Sequence, residues 1–168
     1  MALTKVQAEG INLADTFAFT GTISGLPSGS EAFSARGTGG VWTAASNNDV
    51  LAFNNAANGD SFDTGSNYNT STYKYTAPAT GLYMFWYAIY TAEADTGNEF
   101  TFLLDSARVD FSGGSDDKFS SLNSSSDDHI QNATIVVPMT SGQTMAVIAA
   151  TGSDYYMPHC SWGGCRLS

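Results

Sequence analysis

The stretch Gly81-Leu-Tyr83-Met-Phe85-Trp-Tyr87 decides the fold of this chain, because its side chains alternate with a period of two residues. Such alternation is typical of a β-strand, in which successive side chains point to opposite faces of the sheet. The aromatic residues Tyr83, Phe85 and Tyr87 would share one face. The other face would also be apolar, with Leu82, Met84, Trp86 and Ala88.

A strand that is apolar on both faces has to be covered twice. In a β-sandwich one face meets the opposite sheet. The second cover would be either a neighbouring subunit or more of the core of the same monomer. The periodicity of the strand leaves both arrangements open.

The sequence around this strand repeats short apolar or aromatic runs, separated by turn signals such as Asn58-Gly-Asp60, Gly113-Gly-Ser115 and Ser141-Gly142. Helical periodicity is absent. This pattern predicts an all-β sandwich. We predict nine strands: Glu31–Arg36, Val50–Asn54, Thr72–Ala77, Gly81–Thr91, Glu99–Leu104, Arg108–Phe111, Ile130–Pro138, Thr144–Thr151 and Cys160–Leu167.

The 168 residues suffice for one domain with a short appendage. Residues 1–30 differ in composition from the rest and end in the linker-like cluster Gly25–Ser30. We therefore predict an N-terminal arm, residues 1–30, and one domain, residues 31–168. The arm carries large apolar residues that are its candidate attachment residues: Ile11, Leu13, Phe17 and Phe19.

Six basic residues against 16 acidic residues give a net charge of −10. Such a surface repels polyanions, which excludes nucleic acid and anionic membranes as partners. The longest apolar run, Leu82–Tyr90, is much shorter than the ~20 residues of a membrane helix. The N-terminus lacks the apolar core of a signal peptide, so we expect a soluble protein that is not exported.

Cys160 and Cys165 would lie about 16 Å apart on an extended strand, beyond the ~7 Å between Cα atoms that a disulfide spans. Only a turn at Gly163-Gly164 would bring them together. We expect both cysteines to be reduced and buried in or beside the core.

A longer stretch, Tyr68-Asn-Thr-Ser-Thr-Tyr-Lys-Tyr75-Thr-Ala-Pro78-Ala-Thr-Gly-Leu-Tyr83, together with Phe85 and Tyr87, resembles the signature of the C1q domain. Three further segments resemble other parts of the same family: Phe33–Arg36, Val136–Met145 and Ser161–Leu167. The resemblance covers residues 31–168. The chain departs from the family pattern at three positions: Ala57 and Tyr75, where Phe is usual, and Gln143, where Asp is usual.

This resemblance implies a C1q/TNF-like jelly roll of ten strands that assembles as a compact homotrimer. The aromatic strand, with Tyr83, Phe85, Trp86 and Tyr87, would then lie in the core or at the trimer interface.

The arm has a resemblance of its own. Leu3–Val6 and Gly10-Ile-Asn-Leu-Ala-Asp15-Thr-Phe-Ala-Phe-Thr-Gly21 are similar to segments of tailed-phage structural proteins, especially fibre and virion-surface proteins. This resemblance implies a protein that is made in the host cytoplasm, without a signal peptide, and displayed on the virion. An amphipathic strand pair that merely packs under the jelly roll is the simpler interpretation of the arm.

We expect no enzymatic activity and no cofactor. The chain has no Gly-x-Ser-x-Gly motif, and His129 and His159 adjoin no metal-binding or nucleophile motif. Acidic loops offer oxygen ligands for calcium, although without EF-hand spacing, and a solvated acidic surface is the simpler interpretation. The calcium candidates are Asp116, Asp117, Asp127 and Asp128.

Three functional hypotheses follow. The first is a capsid decoration or cement trimer that the arm anchors to a capsid protein. The second is a short tail fibre or receptor-binding tip. The third is a non-viral module that binds a saccharide or a protein receptor. Thirty extended residues span at most about 100 Å and leave no shaft, so the sequence favours a trimer mounted close to its anchor.

Overall fold

The computed structural model describes residues 31–40, 42–56, 61–91, 99–109, 120–121 and 129–168. These residues form thirteen β-strands and a 3-10 helix at Met157–His159. The strands are β1 Ala32–Arg36, β2 Trp42–Ala45, β3 Phe62–Asp63, β4 Tyr68–Asn69, β5 Lys74–Thr76, β6 Gly81–Thr91, β7 Glu99–Leu104, β8 Ala107–Arg108, β9 Ser120–Ser121, β10 His129–Met139, β11 Thr144–Ala149, β12 Ser153–Tyr156 and β13 Ser161–Arg166.

The strands form two antiparallel sheets. In the first sheet the order is β2-β12-β6-β13-β1-β3, and β10 also pairs with β6. In the second sheet the order is β4-β5-β11-β7-β8, and β9 also pairs with β7. The prediction of an all-β sandwich is thereby confirmed.

Strand β6 is the centre of the first sheet. It pairs with β10 over its whole length, from Gly81 opposite Met139 to Thr91 opposite His129. On its other edge it pairs with β13, and β12 joins beyond the end of β13, where Tyr155 lies opposite Thr91. The predicted bounds of β6 agree with the structure, and so do those of β7.

The inner face of β6 forms the middle of the core. Its side chains alternate with the partly exposed residues of the outer face, as period two requires. Phe85 is fully buried, and its ring centroid lies 5.5 Å from that of Tyr75, 6.1 Å from Trp162 and 6.4 Å from Phe33. These rings come from β1, β5, β6 and β13, so the cluster joins both sheets.

Gly163 and Gly164 lie inside strand β13 and do not form a turn. They allow aromatic rings to lie directly on the strand. A Cβ atom at Gly164 would lie 2.3 Å from Cδ1 of Phe85, and one at Gly163 would lie 2.7 Å from Cζ2 of Trp86. Because the strand stays extended here, Cys160 and Cys165 remain free thiols.

The prediction of a strand over Val50–Asn54 is wrong. Val50 forms one isolated bridge to Ile148, and the amide of Phe53 donates to the carbonyl of Leu51, which turns the chain. Leu51 and Phe53 are nevertheless fully buried. The amide of Leu51 donates to the carbonyl of Val147 in β11, and Asn55 forms an isolated bridge to Arg36, so the segment pairs with strands only at its two ends. Between these ends the apolar pattern reflects burial of a connection in the core.

The sequence prediction missed five short strands: β2, β3, β4, β9 and β12. Each has only two to four residues, too few to show a period. The thirteen described strands also exceed the ten that the family resemblance implied, because several pairings in the structure involve only two residues. The arm, with Ile11, Leu13, Phe17 and Phe19, lies outside the described residues.

Candidate interaction surfaces

The outer face of β6 is the first candidate surface. The monomer buries the inner face completely, whereas Leu82 is 39% exposed and Met84 and Trp86 are partly exposed. In the part of the chain that the structure describes, the second apolar face of this strand therefore stays open. The periodicity of the strand left two arrangements open. These residues do not show burial of both faces within one monomer, because the outer face remains partly exposed.

Strand β10 widens this open surface. Val136 lies opposite Met84 and is 48% exposed, and on the other edge of β6 Cys165 lies opposite Met84. We call the patch formed by Leu82, Met84, Trp86, Val136 and Cys165 the apolar face. An exposed strand face with several large apolar side chains is typical of an interaction surface.

A row of short and polar side chains, which we call the polar row although its middle residue is Ala88, crosses the same side of the sheet next to the apolar face. The backbone register places Ser161, Ala88 and Asn132 side by side on β13, β6 and β10. Arg36 of β1 lies opposite Ser161 and extends the row. This row separates the apolar face from the end of β6 at Thr91.

Beyond the polar row, four rings form a second candidate surface, which we call the aromatic cluster. Trp42 stacks on Tyr90 with a centroid distance of 5.8 Å and contacts Tyr156 at 5.3 Å. His159 completes the cluster edge to face, at 5.1 Å from Tyr90 and 4.9 Å from Tyr156. Trp42 is 45% exposed and His159 is exposed, so the cluster faces solvent.

Buried Cys160 fixes the backbone under the aromatic cluster. Its sulfur accepts the amide of Tyr90 at 3.3 Å and donates to the carbonyl of Tyr156 at 3.2 Å. Burial raises the pKa of this thiol from 9.0 to about 11. The expectation that both cysteines are buried holds for Cys160, while Cys165 is only partly buried.

The buried thiol should react slowly. We expect iodoacetamide at pH 8 to modify Cys160 much more slowly in native than in denatured protein, because Cys160 is buried and its raised pKa leaves almost no thiolate. Peptide mass spectrometry over a time course measures the rate in both states. Equal rates for the native and the denatured protein would contradict the burial of Cys160.

The raised pKa also predicts how stability depends on pH. The stabilising contribution of the protonated Cys160 thiol is present below the unfolded pKa of 9.0, and it is lost as pH rises through the folded pKa of about 11.

The two ends of β6 differ in what surrounds them. At the Gly81 end, the amide of Leu82 donates to the hydroxyl of Ser168, and the amide of Arg166 donates to the carbonyl of Glu31. The first described residue and the last residue of the domain thus lie together at this end. The aromatic cluster lies at the Thr91 end, roughly 30 Å away along an eleven-residue strand.

The other predicted site residues lie outside the described part of the chain. The calcium candidates Asp116, Asp117, Asp127 and Asp128 belong to this group. The described residues contain no group of three or more His, Cys, Asp or Glu side chains that could hold a metal ion. Among the same residues, no helix has the length and apolar character needed to cross a membrane.

The sequence prediction missed the aromatic cluster. Its members come from β2, the end of β6, β12 and the 3-10 helix, and no two of them share a predicted strand. The weak signal available in the sequence was that two of its members, Trp42 and Tyr156, are aromatic residues outside the predicted strands.

Comparison with solved structures shows the fold. The globular domain of the zebrafish complement 1qA protein matches with a TM-score of 0.59 and 16% identity over 82% of this chain and 98% of that domain. The structure of Eiger TNF from S. frugiperda matches with a TM-score of 0.60 and 14% identity over 83% of this chain and 93% of that chain. The structure of murine APRIL matches with a TM-score of 0.52 and 12% identity over 82% of this chain and 99% of that chain.

These likenesses confirm the predicted C1q/TNF-like jelly roll for the domain. No protein-family model matches the chain, and no curated protein matches it significantly.

Proposed function

We propose that this C1q/TNF-like jelly roll is a non-enzymatic binding module that works as a homotrimer. The observation that carries the proposal is the apolar face, because the monomer leaves Leu82 and Val136 39% and 48% exposed on one side of its central strands. Sheet faces of this kind are covered by other chains in closed symmetric oligomers.

The energetics favour assembly. A large aliphatic side chain that passes from full exposure into an interface contributes about 1.5–3 kcal/mol, and Leu82 and Val136, at 39% and 48% exposure, would each contribute somewhat less than half of that. The apolar face offers Leu82, Met84 and Val136, together with part of the Trp86 indole, and a trimer would bury three copies. The partly exposed Cys165 thiol adds a small side chain that can pack closely.

The oligomeric state tests the proposal directly. In light scattering after size exclusion, we expect the full chain to elute with three times its monomer mass of 17.7 kDa. The chain that begins at residue 31 should give a trimer as well, because the apolar face lies wholly within the domain. A monomer at micromolar concentration would refute the proposal.

The finer part of the proposal concerns where the module is mounted. We propose that residues 1–30 attach the trimer to the surface of a tailed-phage virion after synthesis in the host cytoplasm, as a capsid decoration or cement protein. The resemblance of the arm to phage structural proteins supports this. So does the position of Glu31 at the Gly81 end, which points the start of the domain away from the aromatic cluster.

A short tail fibre or receptor-binding tip is the second candidate. It would use the same arm and the same trimer, and its anchor would be a tail protein. The aromatic cluster lies exposed at the end of β6 away from Glu31. It supports the tail-tip candidate as strongly as the capsid-decoration candidate, since a tip needs a recognition surface that faces outward.

The arm can be tested by removal. A chain without residues 1–25 should still form trimers but should not bind particles stripped of the protein. Attachment through several arms multiplies the affinity by effective concentration, so loss of all three should abolish binding. Cosedimentation of purified trimer with stripped capsids measures the binding.

Point substitutions sharpen this test. Phe17→Asp together with Phe19→Asp should abolish attachment, because both replace an apolar ring by a charge. Thr16→Asp together with Thr20→Asp is the matched control, since it adds the same charge and removes no ring. If the truncated trimer decorates particles as well as the full chain does, attachment belongs to the jelly roll.

A further inference from the structure

We infer that the aromatic cluster is a binding platform for a neutral hexopyranose saccharide. The inference rests on the proposed binding module and names the chemical class of its ligand. The platform consists of Trp42, Tyr90, Tyr156 and His159, and all four residues belong to one subunit.

The exposure of the cluster points to a ligand. Trp42 is 45% exposed although it lies in a strand, and it contacts two tyrosine rings. Neighbouring positions on the same side of the sheet are Ala44 on β2 and Ala88 on β6, each with a side chain of one carbon, and Ile130 on β10, which lies opposite Tyr90 and is 62% exposed. Because methyl groups extend less far from a sheet than rings, the alanines leave the Trp42 side of the cluster free, and Ile130 adds an apolar edge beside Tyr90.

The groups around the rings suit hydroxyl groups. Asp154 lies opposite Ala44, two residues along β12 from Tyr156, and it is exposed. Asn132 lies in the polar row on the other side and is exposed as well. A carboxylate accepts hydrogen bonds from hydroxyl groups, and an amide both donates and accepts. Together with the imidazole of His159, they form a rim of mixed polarity around an aromatic floor.

A pyranose ring matches this combination. One face of the sugar presents C–H groups, whose slight positive charge is attracted to the negative face of an aromatic ring. The edge of the sugar presents hydroxyl groups that the rim can bind. Binding sites of this type are lined by aromatic side chains and oriented by a few polar groups.

Other ligand classes fit less well. The net charge of −10 and the nearby Asp154 carboxylate oppose acidic polysaccharides. A cage for an ammonium group needs open space between rings, but these rings contact one another with centroids 4.9–6.3 Å apart. The free surface is the top of the cluster, where a flat ligand can stack.

The cluster also differs from the apolar face in position. The polar row of Ser161, Ala88 and Asn132 separates the two surfaces. Both surfaces lie on the same side of the first sheet, and Tyr90 is four residues, about 13 Å, from Trp86 of the apolar face. The cluster lies at the Thr91 end of β6, and Glu31 begins the domain at the Gly81 end, roughly 30 Å away. A trimer mounted through its arm would therefore present the cluster outward, where a surface polysaccharide can reach it.

The test uses the full-length protein and four neutral hexasaccharides: maltohexaose, cellohexaose, chitohexaose and mannohexaose. Binding is measured by calorimetry and by tryptophan fluorescence. We expect at least one probe to bind. Trp42→Ala and Tyr156→Ala should each weaken that binding by about tenfold or more, and Trp42→Phe should retain most of it while the fluorescence change disappears.

Phe62→Ala is the matched control, because Phe62 is 46% exposed on β3 and lies outside the cluster. It should leave binding unchanged. Circular dichroism establishes that each variant is folded; we expect this for Trp42→Ala because the indole is half-exposed. If Trp42→Phe still binds the sugar and Trp42→Ala does not, the loss of binding comes from the missing aromatic ring and not from unfolding.

Several results would overturn the inference: no binding to any of the four probes, binding that Trp42→Ala leaves intact, or a cluster that binds tetramethylammonium or a hyaluronan hexasaccharide in place of neutral sugars. Light scattering on the same samples keeps the two proposals apart. A trimer that binds no probe refutes only the saccharide site. A monomer refutes only the trimer, since the cluster lies within one subunit and its binding can still be measured.

Discussion

Phe85→Ala should lower the free energy of unfolding by about 3–5 kcal/mol, the range for deletion of a buried aromatic side chain. Phe85 is fully buried, and its ring contacts those of Tyr75, Phe33 and Trp162 from both sheets. The neighbouring rings cannot refill the space without leaving their own contacts. Urea unfolding, followed by fluorescence and circular dichroism, measures the loss.

Tyr83→Ala should have an effect in the same range, because Tyr83 is fully buried and its ring stacks on that of Phe85 at 6.2 Å. Phe62→Ala is the control for removal of an aromatic ring, since Phe62 is 46% exposed and should lower stability by only about half as much as a fully buried ring, or less. Equal effects of Phe85→Ala and Phe62→Ala would show that the described core is wrong.

Val136→Asp should convert the trimer to monomers. Val136 lies opposite Met84 in the middle of the apolar face, so in the proposed interface a carboxylate would lose its water without gaining a partner. Because Val136 is 48% exposed in the monomer, loss of its interface contact alone removes about 0.7 kcal/mol of binding free energy per subunit. Three symmetric copies weaken the trimer by roughly 30-fold, and the desolvated carboxylates weaken it further. Sedimentation equilibrium over a range of concentrations measures the shift.

Thr76→Asp is the matched control for charge. Thr76 is exposed on β5 in the other sheet, and the substitution adds the same carboxylate far from the apolar face. Both variants should keep the circular dichroism spectrum of a folded β-sheet protein. If Val136→Asp remains a trimer at low micromolar concentration, the interface lies elsewhere and the apolar face has another partner.

The aromatic strand shows how far a local pattern predicts this fold. Alternation over Gly81–Thr91 predicted the bounds of β6, its buried aromatic face and a second apolar face. These properties depend on the direction of successive side chains, which period two in the sequence records directly. The same pattern left open what covers the second face, because that depends on the surroundings of the strand.

The connection at Leu51 and Phe53 shows the opposite case. Two buried apolar residues with a spacing of two predicted a strand, although the chain turns there by a hydrogen bond from Phe53 to Leu51. In a short segment, burial in the core and pairing in a sheet produce the same spacing of apolar residues in the sequence. Only the hydrogen-bond partners distinguish them.

The sequence by itself determined the all-β class, the central strand, the net charge of −10 and the resemblance to the C1q family. The tertiary structure alone decided where the surfaces lie. Trp42 and Tyr156 are 114 positions apart along the chain, yet they face each other because β2 pairs with β12. Strand pairing joins distant segments through backbone hydrogen bonds, which leave little trace in the identity of side chains. The aromatic cluster therefore exists only in the folded domain.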